Sequence, residues 1–236
     1  MTDFWEALKE AVHLIVSLDR EVLQIAGRSL QFAATSCALS VLICLPLGSL
    51  IHFRQFRGKT LLISLIQTLF SLPTVAIGLI VYILFSRSGP LGGFGFFLTP
   101  WAIVIGQIML ITPVMLALII SALRGVDKSV PETATALGAN RLQMVVATVR
   151  EARYAIMTAV ILGFGRAFAE VGIAIMVGGN IKGYTRTLTT AMYLETQMGN
   201  TELALALGII LIAIALVINI ALNRLQLKQQ EAPPWP

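Results

Sequence analysis

The sequence predicts an all-α integral membrane protein with about five transmembrane helices. Three observations carry that prediction. Hydrophobic residues make up 57% of the 236 residues and charged residues only 12%, against about 25% in soluble domains. The mean hydropathy is +0.85. The charges are segregated, leaving uncharged stretches of the roughly 20 residues that a helix needs to cross the hydrocarbon layer. So few charges cannot cover a soluble surface, so lipid must be the solvent for much of the chain. Residues 1–236 read as a single domain. The net charge of +5 does not point to nucleic acid, because the basic residues fall in short gaps between apolar runs, where they orient a membrane protein.

The first span is residues 29–53, between Arg28 and Arg54. The second is 60–86, between Lys59 and Arg87. The third is the latter half of 88–123, from about Trp101. The fourth covers about 154–178 and is apolar except for Arg166 and Glu170. The fifth is 203–223, between Glu202 and Arg224. Pro46, Pro73 and Pro113 lie inside the first three, where each removes a backbone N–H and tends to kink the helix. Cys37 and Cys44 are two helical turns apart, roughly 10 Å, which is too far for a disulfide. Within residues 1–25, Phe4, Leu8, Val12, Ile15 and Val16 recur near helical spacing with charges between them, predicting a helix lying in the membrane interface. The same charges leave no apolar stretch for a cleavable signal peptide. The Gly- and Pro-rich loop 87–100 should be an external turn or a re-entrant piece.

Ten Lys and Arg residues fall in the gaps 54–59 and 124–153 and after residue 223, and six fall in the alternate gaps. The excess assigns the first group to the cytoplasm, with the N-terminus outside and the C-terminus inside.

The longest of the cytoplasmic gaps, 124–153, has structure of its own. Ser129-Val-Pro-Glu132 fits a capping box, with Ser129 as N-cap and Glu132 three residues on. A short helix should run to about Leu137. Gly138 then supplies the left-handed turn that ends a helix, and a second helix begins near Asn140. Such a knob either docks a partner or packs on its own spans.

At this point the residues resemble a known family. Glu132-Thr-Ala-Thr-Ala-Leu-Gly138-Ala139 resembles the EAA signature of ABC-importer permeases, Glu-Ala-Ala, three residues, then Gly, with Thr133 in place of the first Ala. The resemblance implies that 129–149 is the coupling loop, seated in a groove of a separate ATPase subunit through Glu132, Ala134, Ala136, Leu137, Gly138 and Ala139. The family pattern continues to a Leu-Pro; Val149-Arg-Glu-Ala-Arg153 has no proline, so a more continuous entry to the next span is expected. Gly163-Phe-Gly-Arg-Ala-Phe-Ala-Glu-Val-Gly172, Val177-Gly-Gly-Asn-Ile-Lys-Gly-Tyr-Thr-Arg186 and Leu188-Thr-Thr-Ala191 are similar to the molybdate/tungstate/sulfate class, and closest to its tungstate branch. The resemblance implies a homodimer that moves a tetrahedral oxyanion by alternating access across a bacterial or archaeal cytoplasmic membrane. It also implies two ATPase subunits, which would carry ATP and Mg, an external oxyanion-binding protein, and surrounding lipid. No cofactor is expected in the chain itself.

Arg166 and Glu170, four residues apart, would share one helix face. Charge at membrane depth costs about 2.5–3.5 kcal/mol per residue on insertion scales, so the two should face the bundle interior or a water-filled path and pair with each other. They are either a structural ion pair or a pathway or gate position, with Gly178, Gly179 and Asn180 at the outer end of the same span. Lys182 and Arg186 follow, either steering an anion or contacting the binding protein, or simply solvated. An ion-coupled secondary transporter built on the Arg166/Glu170 pair is the alternative.

No enzyme site is legible. Gly58-Lys59-Thr60 imitates the end of a nucleotide-binding loop, but Phe53 occupies the required first Gly position. His13 and His52 lie far apart in sequence. Neither a nucleophile elbow nor a metal motif is present in the sequence.

Overall fold

Apolar, uncharged sequence forms helix here because only a helix satisfies every backbone polar group within its own segment in lipid. The computed structural model describes residues 20–231, together with 5, 6, 8, 9, 12 and 13, and no strand occurs among them. Helix α1 covers Arg20–Phe53, 34 residues, about 51 Å at 1.5 Å per residue. That exceeds the roughly 30 Å of hydrocarbon. The expected boundary at residue 29 is therefore too late. Residues 20–28 continue the spanning helix, with Arg20, Glu21 and Arg28 on turns that project past the apolar layer. The rest of the proposed interfacial helix, before residue 20, lies largely outside the described residues.

The second span is not one kinked helix. It consists of α2 (Lys59–Leu69) and α3 (Thr74–Phe85), bent by 99°. Pro73 has no N–H to donate and disfavours helical geometry at Leu72; its ψ of 132° leads the chain out of the helix. Pro46 and Pro113, by contrast, sit inside continuous helices. The third span is α4 (Pro100–Arg124). Then come α5 (Ser129–Ala136) and α6 (Arg141–Glu151), with α7 (Arg153–Phe168) joined to α6 through Ala152 alone.

The fourth span is also broken. After α7 the chain bends by 55° at Ala169–Val171 into α8 (Gly172–Gly178). Helix α9 (Leu188–Gln197) and the last span, α10 (Thr201–Glu231), complete the chain. Counting each bent pair once gives the five spans expected.

Helix α4 is the centre. In its most apolar window 67% of residues are buried inside the protein, against 33% in α1 and 22% in α10. Ile103, Ile111, Met115, Ile119, Ile120 and Leu123 on α4 are almost fully buried, and α1, α7 and α8 pack around it. Close approach depends on small residues, since apolar side chains gain little from leaving lipid. At Gly106 a Cβ would stand 2.3 Å from Cγ2 of Ile173 on α8.

The two ends of the bundle sort the loops as the charge pattern grouped them. Glu21 at the start of α1 pairs with Lys182, and the Leu98 N–H donates to the Val177 carbonyl at 3.0 Å. The loops around 87–99 and 179–187 therefore share one end with the start of α1. At the other end Gln226 donates to the Tyr154 carbonyl at 3.1 Å, which places the far turns of α10 beside the start of α7.

Replacing Gly106 by Val should force α4 and α8 apart and cost about 1–3 kcal/mol of overpacking. Gly165→Ala, where a Cβ meets nothing within 4 Å, should leave stability of the isolated chain unchanged or slightly raised. Thermal unfolding of the two purified variants in detergent checks both.

Candidate coupling and pathway sites

The first candidate site is the knob of α5 and α6. Helix α5 starts at Ser129 itself, one residue earlier than an N-cap at Ser129 implies, and the expected capping box does not form: no side chain caps at the Lys128 N-cap position. Asp127 does the work two residues earlier, accepting the Ser129 N–H at 2.7 Å. That hydrogen bond favours the ionised carboxylate and holds Asp127 below the usual carboxylate range. The other end closes as the sequence indicated. Gly138 has φ +84°, the Ala139 N–H donates to the Ala134 carbonyl and the Gly138 N–H to that of Thr135, both at 3.0 Å. These two bonds form a Schellman stop, which a left-handed glycine permits. Asn140 then starts α6 with a full capping box, its side chain accepting from Gln143 N–H at 2.9 Å while Gln143 accepts from Asn140 N–H at 2.8 Å.

No residue of α5 is buried. Leu137 at its tip is 83% exposed, and Glu132, Ala136 and Gly138 are exposed beside it, with Ala134 and Ala139 half-buried. So exposed a leucine has no packing role in its own chain.

The second candidate site is the break at Ala169–Val171. Arg166 and Glu170 do not share a helix face, because α7 ends at Phe168. Nor do they form an ion pair. The buried Glu170 turns forward instead: its Oε1 accepts the Ile173 N–H at 2.9 Å, supplying an acceptor to the otherwise unpaired first turn of α8. The Glu170 carbonyl accepts from the Thr189 hydroxyl at 2.8 Å. Arg166 lies with its guanidinium 6.0 Å from the Phe70 ring, at the break in the second span, and its buried Nε has no hydrogen-bond partner. The two broken spans thus meet through α3 and α8, with Arg166 beside both bends. The expected direct contact between the two side chains is thus not formed, though their charges still interact.

Behind the break, Gln107 of α4 donates from Nε2 to the Ala167 carbonyl at 3.0 Å and accepts from the Ser36 hydroxyl of α1 at 2.7 Å. One amide therefore ties three spans. Beyond α8, Gly179 and Asn180 both take positive φ, and Asn180 Oδ1 accepts from Thr190 at 2.9 Å. Gly178 is buried with its carbonyl accepting from Thr185 at 2.5 Å. Lys182 and Arg186 are not free loop charges. Both reach Glu21, at 2.6 and 3.6 Å, and clamp the loop to α1.

The model of the family described as "Binding-protein-dependent transport system inner membrane component" matches residues 44–230. The chain belongs to that family. A relative in Haloferax volcanii, named "Probable anion ABC transporter permease protein", is 40% identical over 203 residues, covering 84% of this chain and 88% of the relative. The tungstate uptake system permease protein TupB of Peptoclostridium acidaminophilum is 36% identical over 221 residues, 94% of this chain and 97% of that protein. The crystal structure of a bacterial alginate ABC transporter, in complex with its alginate-bound periplasmic protein, aligns with a TM-score of 0.77 at 18% identity, covering 98% of this chain and 88% of the aligned one. The chain is an ABC transporter permease, a transport component rather than an enzyme. Among the described residues of this permease, no group of His, Cys, Asp and Glu could hold a metal ion.

Sequence reasoning passed over Ser36 and Gln107, the polar pair at the heart of the permease. Gln107 was the available signal, an amide inside an otherwise apolar span. It also passed over Glu21 as partner to the two loop cations, for which separation by 161 residues left no local sign.

Gln107→Leu keeps the volume and removes both bonds. Ser36 retains the Phe32 carbonyl as acceptor at 2.8 Å, so the loss should be that of about one interhelical bond in a membrane, about 0.6 and at most about 1.7 kcal/mol. Unfolding the purified permease in mixed micelles of increasing denaturing detergent reads it.

Proposed function

We propose that the permease is the membrane subunit of an ATP-driven importer for a tetrahedral oxyanion, tungstate foremost, with molybdate or sulfate as the related cargoes. The observation that carries the coupling half of this reading is the bare Leu137 on its Schellman-ended turn. An apolar tip held rigidly in water is suited to a pocket on another protein. The cargo rests on the near full-length likeness to a tungstate uptake permease.

Two copies enclose the pathway, and two ATPase subunits, which carry ATP and Mg, each receive one knob through Glu132, Ala134, Ala136, Leu137, Gly138 and Ala139. The knob end faces the cytoplasm and the Glu21–Lys182 end faces outward, as the excess of basic residues requires. ATP binding draws the ATPases together and the knobs follow. Helix α6 passes the movement through Ala152 to α7, and α7 delivers it to the break at Ala169–Val171. The spans rock from inward-open to outward-open, an external binding protein releases its oxyanion, and hydrolysis resets the dimer.

Arg166 attracts the ion in passing, and the nearby Glu170 carboxylate offsets that attraction so that it stays weak. Glu170 keeps the break in shape, and Gly178, Gly179 and Asn180 form the turn at the outer mouth. Lys182, its side chain 66% exposed even while paired, remains within reach of an incoming anion or of the binding protein.

In proteoliposomes holding the permease, its ATPase and its binding protein, tungstate uptake should require ATP. Leu137→Asp, at a position without packing of its own, should leave dimerisation and thermal stability intact. It should lower uptake and binding-protein-stimulated ATP hydrolysis by more than tenfold, as loss of an interface anchor of about 2 kcal/mol implies. Full coupling in that variant would overturn the docking assignment, and uptake driven by an ion gradient without ATPase would overturn the importer reading.

A further inference from the structure

At the end of the bundle that carries the coupling knob, a groove of about 670 Å³ opens between the last turns of α1 and the whole length of α6. Leu45, Pro46, Leu50 and Phe53 form one wall, and Leu142, Val145, Val146 and Val149 the other. Three arginines border it, Arg54 just past the end of α1 and Arg141 and Arg150 near the two ends of α6, and no carboxylate is among the lining residues. Lys59 is not part of this group: its ammonium is spent on the His52 and Arg54 carbonyls at 2.7 and 3.1 Å, closing the end of α1. None of the three arginines makes an ion pair with a described residue.

We propose that this groove binds one anionic phospholipid, its acidic headgroup drawn by the basic lining residues Arg54, Arg141 and Arg150 and its upper acyl carbons between α1 and α6. Two requirements meet at one place. Uncompensated guanidinium groups call for an anion, and arginine's planar fork suits a phosphate. An apolar trough leading back along a spanning helix calls for a hydrocarbon chain. A free oxyanion meets only the first requirement and a neutral lipid only the second.

Helix α6 itself bears the marks of an interfacial element. Leu142 is 72% exposed and Val146 49%, on the same helix as Arg141 and Arg150. Apolar side chains bared beside cations are what a helix lying at the headgroup level presents, and basic pockets between helices at this depth hold acidic headgroups. A lipid seated there would tie the helix that follows the knob to α1 and fix the point about which it pivots. This site stands independently of which ion the permease carries.

The test is lipid retention by the full-length permease in detergent, delipidated and then titrated with dioleoyl-phosphatidylglycerol or dioleoyl-phosphatidylcholine and read by native mass spectrometry. Wild type should hold phosphatidylglycerol in preference to phosphatidylcholine. The double variant Arg141→Gln, Arg150→Gln should weaken phosphatidylglycerol by about thirtyfold, the effect of two basic residues near an acidic headgroup. Arg57→Gln, in the same basic turn as Arg54 but outside the groove, should leave the preference intact. Equal retention of both lipids by wild type would overturn the proposal. So would an equal loss in Arg57→Gln, which would mean general surface charge. Loss of the dimer in the double variant with its lipid preference unchanged would also overturn it and make the groove an interface between copies.

Discussion

In hydrocarbon there is no water to receive a backbone N–H or C=O, so a span can be interrupted only where the protein itself supplies partners. Two of the five spans here are interrupted, at 70–73 and at 169–171, and the second interruption lies within the helix layer that surrounds α4. Its carbonyls and amides are met by three side chains from three places. Glu170 turns onto the first turn of α8, Gln107 reaches the Ala167 carbonyl from α4, and Thr189 reaches the Glu170 carbonyl from α9. The packing of α3 on α8 and the position of Arg166 between the bends follow from that satisfied break. A carboxylate whose sequence position suggests half of an ion pair is committed to holding backbone.

The same requirement separates the permease into a shaped end and a working end. At one end, Glu21, Lys182 and Arg186 fasten the loop after α8 to the start of α1, and buried threonines 185, 187, 189 and 190 take up the polar groups of the turn. At the other end, Lys59 closes the end of α1 and Gln226 ties α10 to α7, but the knob stands exposed. Helix α5 has no fully buried residue, and α6 lines an open trough with α1. Rigidity within the knob and looseness around it suit an element that is pushed as a unit. A flexible knob would absorb the displacement locally, whereas one packed into its own spans could not meet another protein.

The number of spans, their order, the grouping of loops at the two ends, and the turn at Gly138 were all legible in the sequence, because each depends on local properties. Hydrocarbon thickness sets span length, charge is costly within it, and a left-handed stop favours glycine. The EAA-like run was legible for the same reason, since its helix and its stop lie within residues 129–139. What the sequence could not decide were the partners. Ser129 and Glu132 have the spacing of a capping box, yet Asp127 caps the helix; Arg166 and Glu170 have the spacing of an ion pair, yet a bend lies between them. Pro73 opens a new helix after a bend while Pro46 and Pro113 sit inside continuous helices, a difference that the residue type alone does not set. Spacing along one chain fixes which groups could meet. Which of them do meet depends on competing donors and acceptors, such as Gln107 and Glu21, brought from distant residues by the packing of whole helices, and only the tertiary structure settles that competition.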